Sequence, residues 1–264
     1  EQDYVQAAEW YRKEAEQGLP SAHVKLGLCY DEGLGVEQDF EQAAELWRKA
    51  VELGDIGLDM DILKDYARLR RAAEQGDDCA QYKMGEFFYE SCRFLDDYYV
   101  DKKAVMWYRR SAEQGNADAQ MALAECYSYG MGVEEDKKLA AEWYRRSAEQ
   151  GKAVAQFEFA ECCRYGSGAE KDEEKAVDWY RKAAENGNDE AQFWLAKYYY
   201  EGEIVEKDYK QAAEWWRKAA EQGNVYAQDN LGDCYRQGEG VKQDYKKAAE
   251  LYRKALQIGE HHVY

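Results

Sequence analysis

An all-α solenoid of stacked helix–turn–helix repeats is the fold class that the sequence predicts. Three observations predict it. The chain repeats with a fixed period, apolar residues recur at spacings of three and four within each period, and glycine and aspartate stand at the same boundary positions of successive copies.

The period is read from the stretch Asp208–Gly223, DYKQAAEWWRKAAEQG, of which copies recur along the chain. Each copy closes on a glycine: Gly18, Gly54, Gly76, Gly115, Gly151, Gly187, Gly223 and Gly259, at intervals of 36, 22, 39, 36, 36, 36 and 36 residues. A period of this length marks an array in which each unit packs on its neighbours, so one elongated domain over 1–264 is expected. The single proline and the lack of any linker-like tract mark no boundary within it.

Each full unit carries two helical patterns. Helix A is clearest at Asp189–Gly202, where Ala191, Leu195, Tyr198 and Tyr199 form an apolar stripe. A loop such as YGMGVEED (Tyr129–Asp136) follows, with one glycine placed for a left-handed helix cap and a second for a sharp turn. Asp39, Asp136, Asp172, Asp208 and Asp244 then precede the second pattern, where a carboxylate caps free N–H groups. Helix B is the repeated stretch itself, with Ala212, Trp215, Trp216, Ala219 and Ala220 as its expected apolar stripe.

In chain order this gives a lone helix B at 1–18 and a full unit at 19–54. A degenerate unit at 55–76 is 14 residues short of the period and lacks most of a helix A. The unit 77–115 has ESCRFLDDYYVD in place of the glycine loop. Regular units at 116–151, 152–187, 188–223 and 224–259 follow, then the tail 260–264.

The formal net charge of −18 disfavours nucleic acid and anionic membrane surfaces and favours a basic partner. No apolar run approaches the ~18 residues that a membrane span needs, so no direct membrane insertion is expected. Of seven cysteines, Cys29, Cys126, Cys162 and Cys234 share one repeat position, a whole unit apart. Cys79 and Cys92 would lie ~19 Å apart on one helix, beyond disulfide reach, so free thiols in a reducing, cytoplasmic setting are expected.

No phosphate-binding loop, dinucleotide fingerprint, H-E-x-x-H or C-x-x-C is present, and neither a catalytic residue, a cofactor nor a metal is assigned. His23 takes the place of Gln120, Gln156, Gln192 and Gln228, which gives it a structural role. His261 and His262 are placed in a mobile tail. Pairs such as Glu134 and Glu135 are loop solvation.

The segments Ala140–Gly151, AAEWYRRSAEQG, and Leu231–Asp244, LGDCYRQGEGVKQD, resemble the Sel-1-like repeat family, relatives of the tetratricopeptide repeats, and the likeness covers nearly the whole chain. It departs at 55–76 and 91–99. The resemblance implies a right-handed α/α superhelix that acts as a non-enzymatic scaffold and binds a peptide or helix on its inner, helix A side. By alignment with the tetratricopeptide groove, the inner face would carry Val24, Tyr82, Met121, Phe157, Phe193 and Asp229. One turn on it would carry Leu28, Glu86, Glu125, Glu161, Lys197 and Asp233, and then Asp31, Tyr89, Ser128, Arg164, Tyr200 and Arg236. An apolar floor beside an acidic row suits a partner with apolar anchors and Lys/Arg; the column Tyr82, Met121, Phe157 and Phe193 is as compatible with core packing, and the acidic row with a solvated face. Two other readings stay open. One is a penicillin-binding or hydrolase activity, as in cysteine-rich relatives whose paired cysteines helix B lacks here; the other is a self-assembling structural array.

Overall fold

A computed structural model describes residues 2–53, 60–95 and 98–261, with side chains described from 3 to 53, 60 to 90 and 101 to 256. Fourteen helices and no strand occupy these residues, in two compact units, 1–135 and 136–264. Cys92, His261 and His262 lie outside the described side chains.

The second unit shows the regular design. Helices B are α8 (Lys137–Glu149), α10 (Glu173–Glu185), α12 (Tyr209–Glu221) and α14 (Tyr245–His261); helices A are α9 (Ala153–Tyr165), α11 (Asp189–Glu201) and α13 (Val225–Gln237). The aspartates are caps as expected. Asp172 accepts from the Lys175 backbone N–H at 2.9 Å, and Asp208 from Lys210 and Gln211 at 2.9 and 3.0 Å. Gly166 ends α9 at φ +71, and its N–H returns to the Cys162 carbonyl. The second loop glycine does more than turn the chain. A Cβ on Gly168 would overlap the Lys137 carbonyl at the start of α8, so the residue lets the loop close onto the helix B before it.

The core of each helix pair is alanine against aromatic. Ala191, Leu195 and Tyr198 of α11 are buried, as are Ala212, Ala213, Trp216 and Ala219 of α12. The buried stripe of α12 is thus shifted from the expected one, whereas in α10 the equivalents Trp179 and Ala184 are buried as expected. Trp215 and Ala220 are half-buried, and Lys218 covers the Trp215 ring at 3.8 Å. A buried glutamine ties each helix A to the helix B before it: Gln156 and Gln192 donate to the carbonyls of Ala148 and Ala184, both at 3.1 Å. Their own carbonyls are met by Asn186 and Gln222 at 2.9 and 3.0 Å, so these buried amides are satisfied on both sides.

The first unit holds α1 (Gln2–Glu16), α2 (Pro20–Glu32), α3 (Phe40–Glu52), α4 (Met60–Glu74), α5 (Asp78–Leu95), α6 (Tyr98–Glu113) and α7 (Ala117–Tyr129). Here the repeat is bent to fit. His23 accepts the structural role: its Nδ1 lies 2.9 Å from the Leu19 carbonyl, within its own helix, where glutamine elsewhere reaches back to the preceding helix. With no glycine to stop it, α5 runs for 18 residues instead of 13, and much of the stretch at 90–101 is helical. The degenerate unit contributes α4 alone, a helix B without its helix A.

What holds α4 is a buried ionic cluster. The Asp31 carboxylate at the end of α2, fully buried, accepts from the Tyr66 hydroxyl at 2.6 Å and from Arg70 Nε at 3.0 Å, both on α4, and from Lys103 Nζ of α6 at 3.2 Å. Arg70 also reaches Glu74 at 2.7 Å and Glu32 at 3.8 Å, and Lys103 reaches Glu32 at 2.5 Å, so Arg70 meets three carboxylates and Lys103 two. Aromatic rings close the cluster. Arg70 lies over Phe40 and Trp107, and Tyr66 packs edge-on against Trp47 at 4.7 Å. Burial alone would raise the Asp31 carboxyl, but Lys103, Arg70 and the Tyr66 hydroxyl together hold it below the ordinary carboxylate range.

Candidate partner-binding face

In the second unit the expected inner positions fall on α9, α11 and α13 and are largely engaged with one another. Phe157 is 8% exposed and packs on Tyr180 at 5.9 Å. Phe193 is half-buried, with Trp194 at 5.3 Å and Tyr226 at 5.9 Å. Glu161 accepts a hydrogen bond from the Tyr180 hydroxyl. Arg164 stands 3.7 Å from Glu161, with its guanidinium 3.7 Å over the Trp194 ring. Lys197 lies over that same ring at 5.0 Å and reaches Glu201 at 3.7 Å. Tyr200 donates to Glu239 at 2.8 Å, and this bond, with burial, pushes its phenol up to about 12.

A rule links the two helices of a pair. Where helix A presents an acid one turn past the inner column, helix B presents a tyrosine 19 residues later: Glu161 with Tyr180, and Asp233 with Tyr252 at 2.8 Å. Where that position is Lys197 or Leu28, the helix B residue 19 later is Trp216 or Trp47, which has no hydroxyl to donate. Asp233 is held below the ordinary range in spite of its burial, by its bonds from Arg236 and Tyr252. The acids of this unit are therefore structural acceptors as much as a surface row.

In the first unit the same positions fall on α2, α5 and α7. Val24 is buried in the core and Asp31 belongs to the ionic cluster, so neither is presented. Tyr82 is half-buried and donates to Glu86 at 2.7 Å; Tyr89 points its hydroxyl at the Met131 sulfur at 3.7 Å. Met121 and Glu125 are half-buried one turn apart on α7. Glu125 differs from its equivalents. Burial raises its carboxyl. It also lies within electrostatic range of Tyr82, whose phenol is raised by burial, then by Glu86, and further by Asp118 and Glu125.

The other candidate chemistry has ordinary explanations. The six described cysteines are free, and burial pushes the thiols of Cys126, Cys162 and Cys234 up to about 12, which leaves them protonated. Asp77, Asp78 and Cys79 come close enough to share a metal ion, but Asp77 caps α5 through the Ala80 N–H at 2.7 Å and Asp78 accepts from Asn116 at 3.0 Å. No described helix is long and apolar enough to cross a membrane.

The sequence reading did not find the cluster around Asp31. Its members are 35, 39 and 72 residues apart, so no periodic comparison brings them together.

Helix pairs of this length, joined by glycine loops and tied by buried glutamines, define an α-helical repeat protein. The Sel1 repeat family model matches residues 1–19, 20–55, 80–116, 117–152, 153–188, 189–224 and 225–259, and the chain belongs to the Sel1 repeat family. The unmatched stretch, 56–79, contains α4. The crystal structure of a Sel1 repeat protein from Oxalobacter formigenes is similar at 33% identity with a TM-score of 0.66, over 95% of this chain and 65% of that one. A protective antigen of uropathogenic Escherichia coli, c5321, described as displaying an SLR fold, is similar at 33% identity with a TM-score of 0.50, over 97% and 65% of the two chains. An uncharacterized Neisseria meningitidis protein, NMB1327, is 30% identical over 138 residues, which are 52% of this chain and 23% of that protein. The chain thus spans under two thirds of each of these relatives. Sel1 repeat proteins are generally non-enzymatic scaffolds for protein–protein interaction.

Proposed function

We propose that this chain is a non-enzymatic scaffold whose helix A faces bind a peptide or helix of another protein, one that carries Lys/Arg and apolar anchors. The observation that carries the reading is Glu125: a half-buried carboxylate, raised by burial, one turn from Met121 and within reach of the Tyr82 phenol. A lysine or arginine from a partner would supply a counter-charge to this carboxylate, and Met121 and Tyr82 offer apolar contact for its stem. In the second unit, half-buried Phe193 and the Arg164–Trp194 stack offer the aromatic contacts of an interface hot spot. The free thiols support a reducing, cytoplasmic setting.

The test is affinity capture from the source cell with wild-type protein and with Glu86→Lys, Glu125→Lys and Glu161→Lys combined. A partner recovered by the wild type and lost by the charge-reversed protein, with helicity intact, is the expected result. Equal recovery by both contradicts it.

A further inference from the structure

The face of α4 that lacks its helix A is an open groove. In α12 the positions Tyr209, Ala212, Trp216 and Ala219 receive the helix A of their own unit, with the Tyr200 ring of α11 on Tyr209 at 5.1 Å and on Trp216 at 5.3 Å. The same positions of α4, counted from the closing glycine, are Ile62, Asp65, Leu69 and Ala72. There the burial is undone. Asp65 is exposed and Leu69 and Ala72 are half-exposed, whereas Ala212, Trp216 and Ala219 are buried. Together with Ala80 and Lys83 of α5 these residues line a groove of about 540 Å³, and no described helix fills it.

The lining says what would. Ile62, Leu69, Ala72 and Ala80 make an aliphatic floor of small and medium side chains, the kind of surface that a helix can approach closely. The rim carries Asp61, Asp65, Asp77 and Glu86 against Arg68 and Lys83; Asp61 is paired with Lys64 at 2.7 Å and Asp65 with Arg68 at 3.0 Å, which leaves Asp77 and Glu86 against Lys83, an excess of one negative charge. Such a rim opposes an acidic occupant and attracts a basic one. We propose that the groove between α4 and α5 docks an amphipathic helix of a partner protein, apolar along one stripe and basic on its flanks, in the place that helix A holds in the other units. The helices A of this chain set the length, 13 residues. This surface adjoins the inner face and overlaps it at Glu86, so the groove variants below avoid that residue.

The experiment pans a phage-displayed library of 13-residue helices, randomised on one stripe and its flanks, against the whole chain. Selected helices are then titrated by fluorescence anisotropy against wild type, Asp65→Arg, Leu69→Arg and Phe193→Ala. The selected helices should carry an aliphatic stripe flanked by Lys/Arg. They should bind Asp65→Arg and Leu69→Arg about tenfold or more weaker, as a desolvated like charge demands, and bind Phe193→Ala as they bind wild type. Asp65 is exposed, so its variant leaves the fold intact, which circular dichroism verifies. Three results overturn the proposal: no enriched helix, enriched helices with acidic flanks, or binding indifferent to both groove variants. Loss confined to Phe193→Ala would overturn it while supporting the inner face.

Discussion

The two units solve the same packing problem with different chemistry. In α8–α13 each helix pair is closed by alanine against aromatic rings, and the amides of Gln156 and Gln192 inside are satisfied within one or two helices, while Gln228 Oε1 and Trp216 Nε1 are left without a partner among the described residues. In α2–α6, where the period is broken by a missing helix A, the interior holds one aspartate that binds both an arginine and a lysine. The difference teaches that a repeat can lose a helix when long-range charges take over the fixing of position. It carries a liability, since a buried ion pair adds little when whole and costs much when one member is removed.

The comparison breaks most sharply at Asp31. Asp31→Ala strands Arg70 and Lys103 without their central acceptor, and the expected loss is about 3–5 kcal/mol, read as a lowered first transition in chemical unfolding. The same carboxylate gives the first unit an acid sensitivity seated in its buried core, where the second has only the more exposed Asp233. The Asp31 value is lowered in the folded state, so its contribution is complete above the ordinary carboxylate value of ~3.9 and is lost as pH falls through the folded value. Acid unfolding followed in wild type and Asp31→Asn should show a steep loss in the former and a flatter one in the latter.

The second contrast lies within the glycines. Gly168→Ala meets both a left-handed backbone and the Lys137 carbonyl, while Gly18→Ala meets the backbone penalty alone, at φ +82 with open space around it. Thermal unfolding should show Gly18→Ala costing roughly 1–2 kcal/mol and Gly168→Ala more. Smaller again is Asp172→Ala, a lost cap worth roughly 1 kcal/mol, which a shift in the melting temperature of the second unit would show.

These magnitudes track what could be read before any coordinates. Helix ends, caps and glycine positions are local, and they recur, so period and residue type placed them. The shift of the α12 stripe from Trp215 and Ala220 toward Ala213, which α10 does not share, was less legible, because spacing fixes a stripe's width better than its centre. The inner face was legible as a set of positions but not in its state. Whether Glu161 stands free or accepts from Tyr180 depends on a partner 19 residues away on another helix. The Asp31 cluster was hidden because each of its contacts joins different elements, and Arg70 by itself looks like any other basic residue near a helix end.

The most direct test is native-state hydrogen exchange on wild type and Asp31→Ala. The account predicts that protection falls in α2, α4 and α6, which the cluster joins, while α9–α12 keep the protection of the wild type. Unchanged protection in α4, or an equal loss across α9–α12, would contradict it.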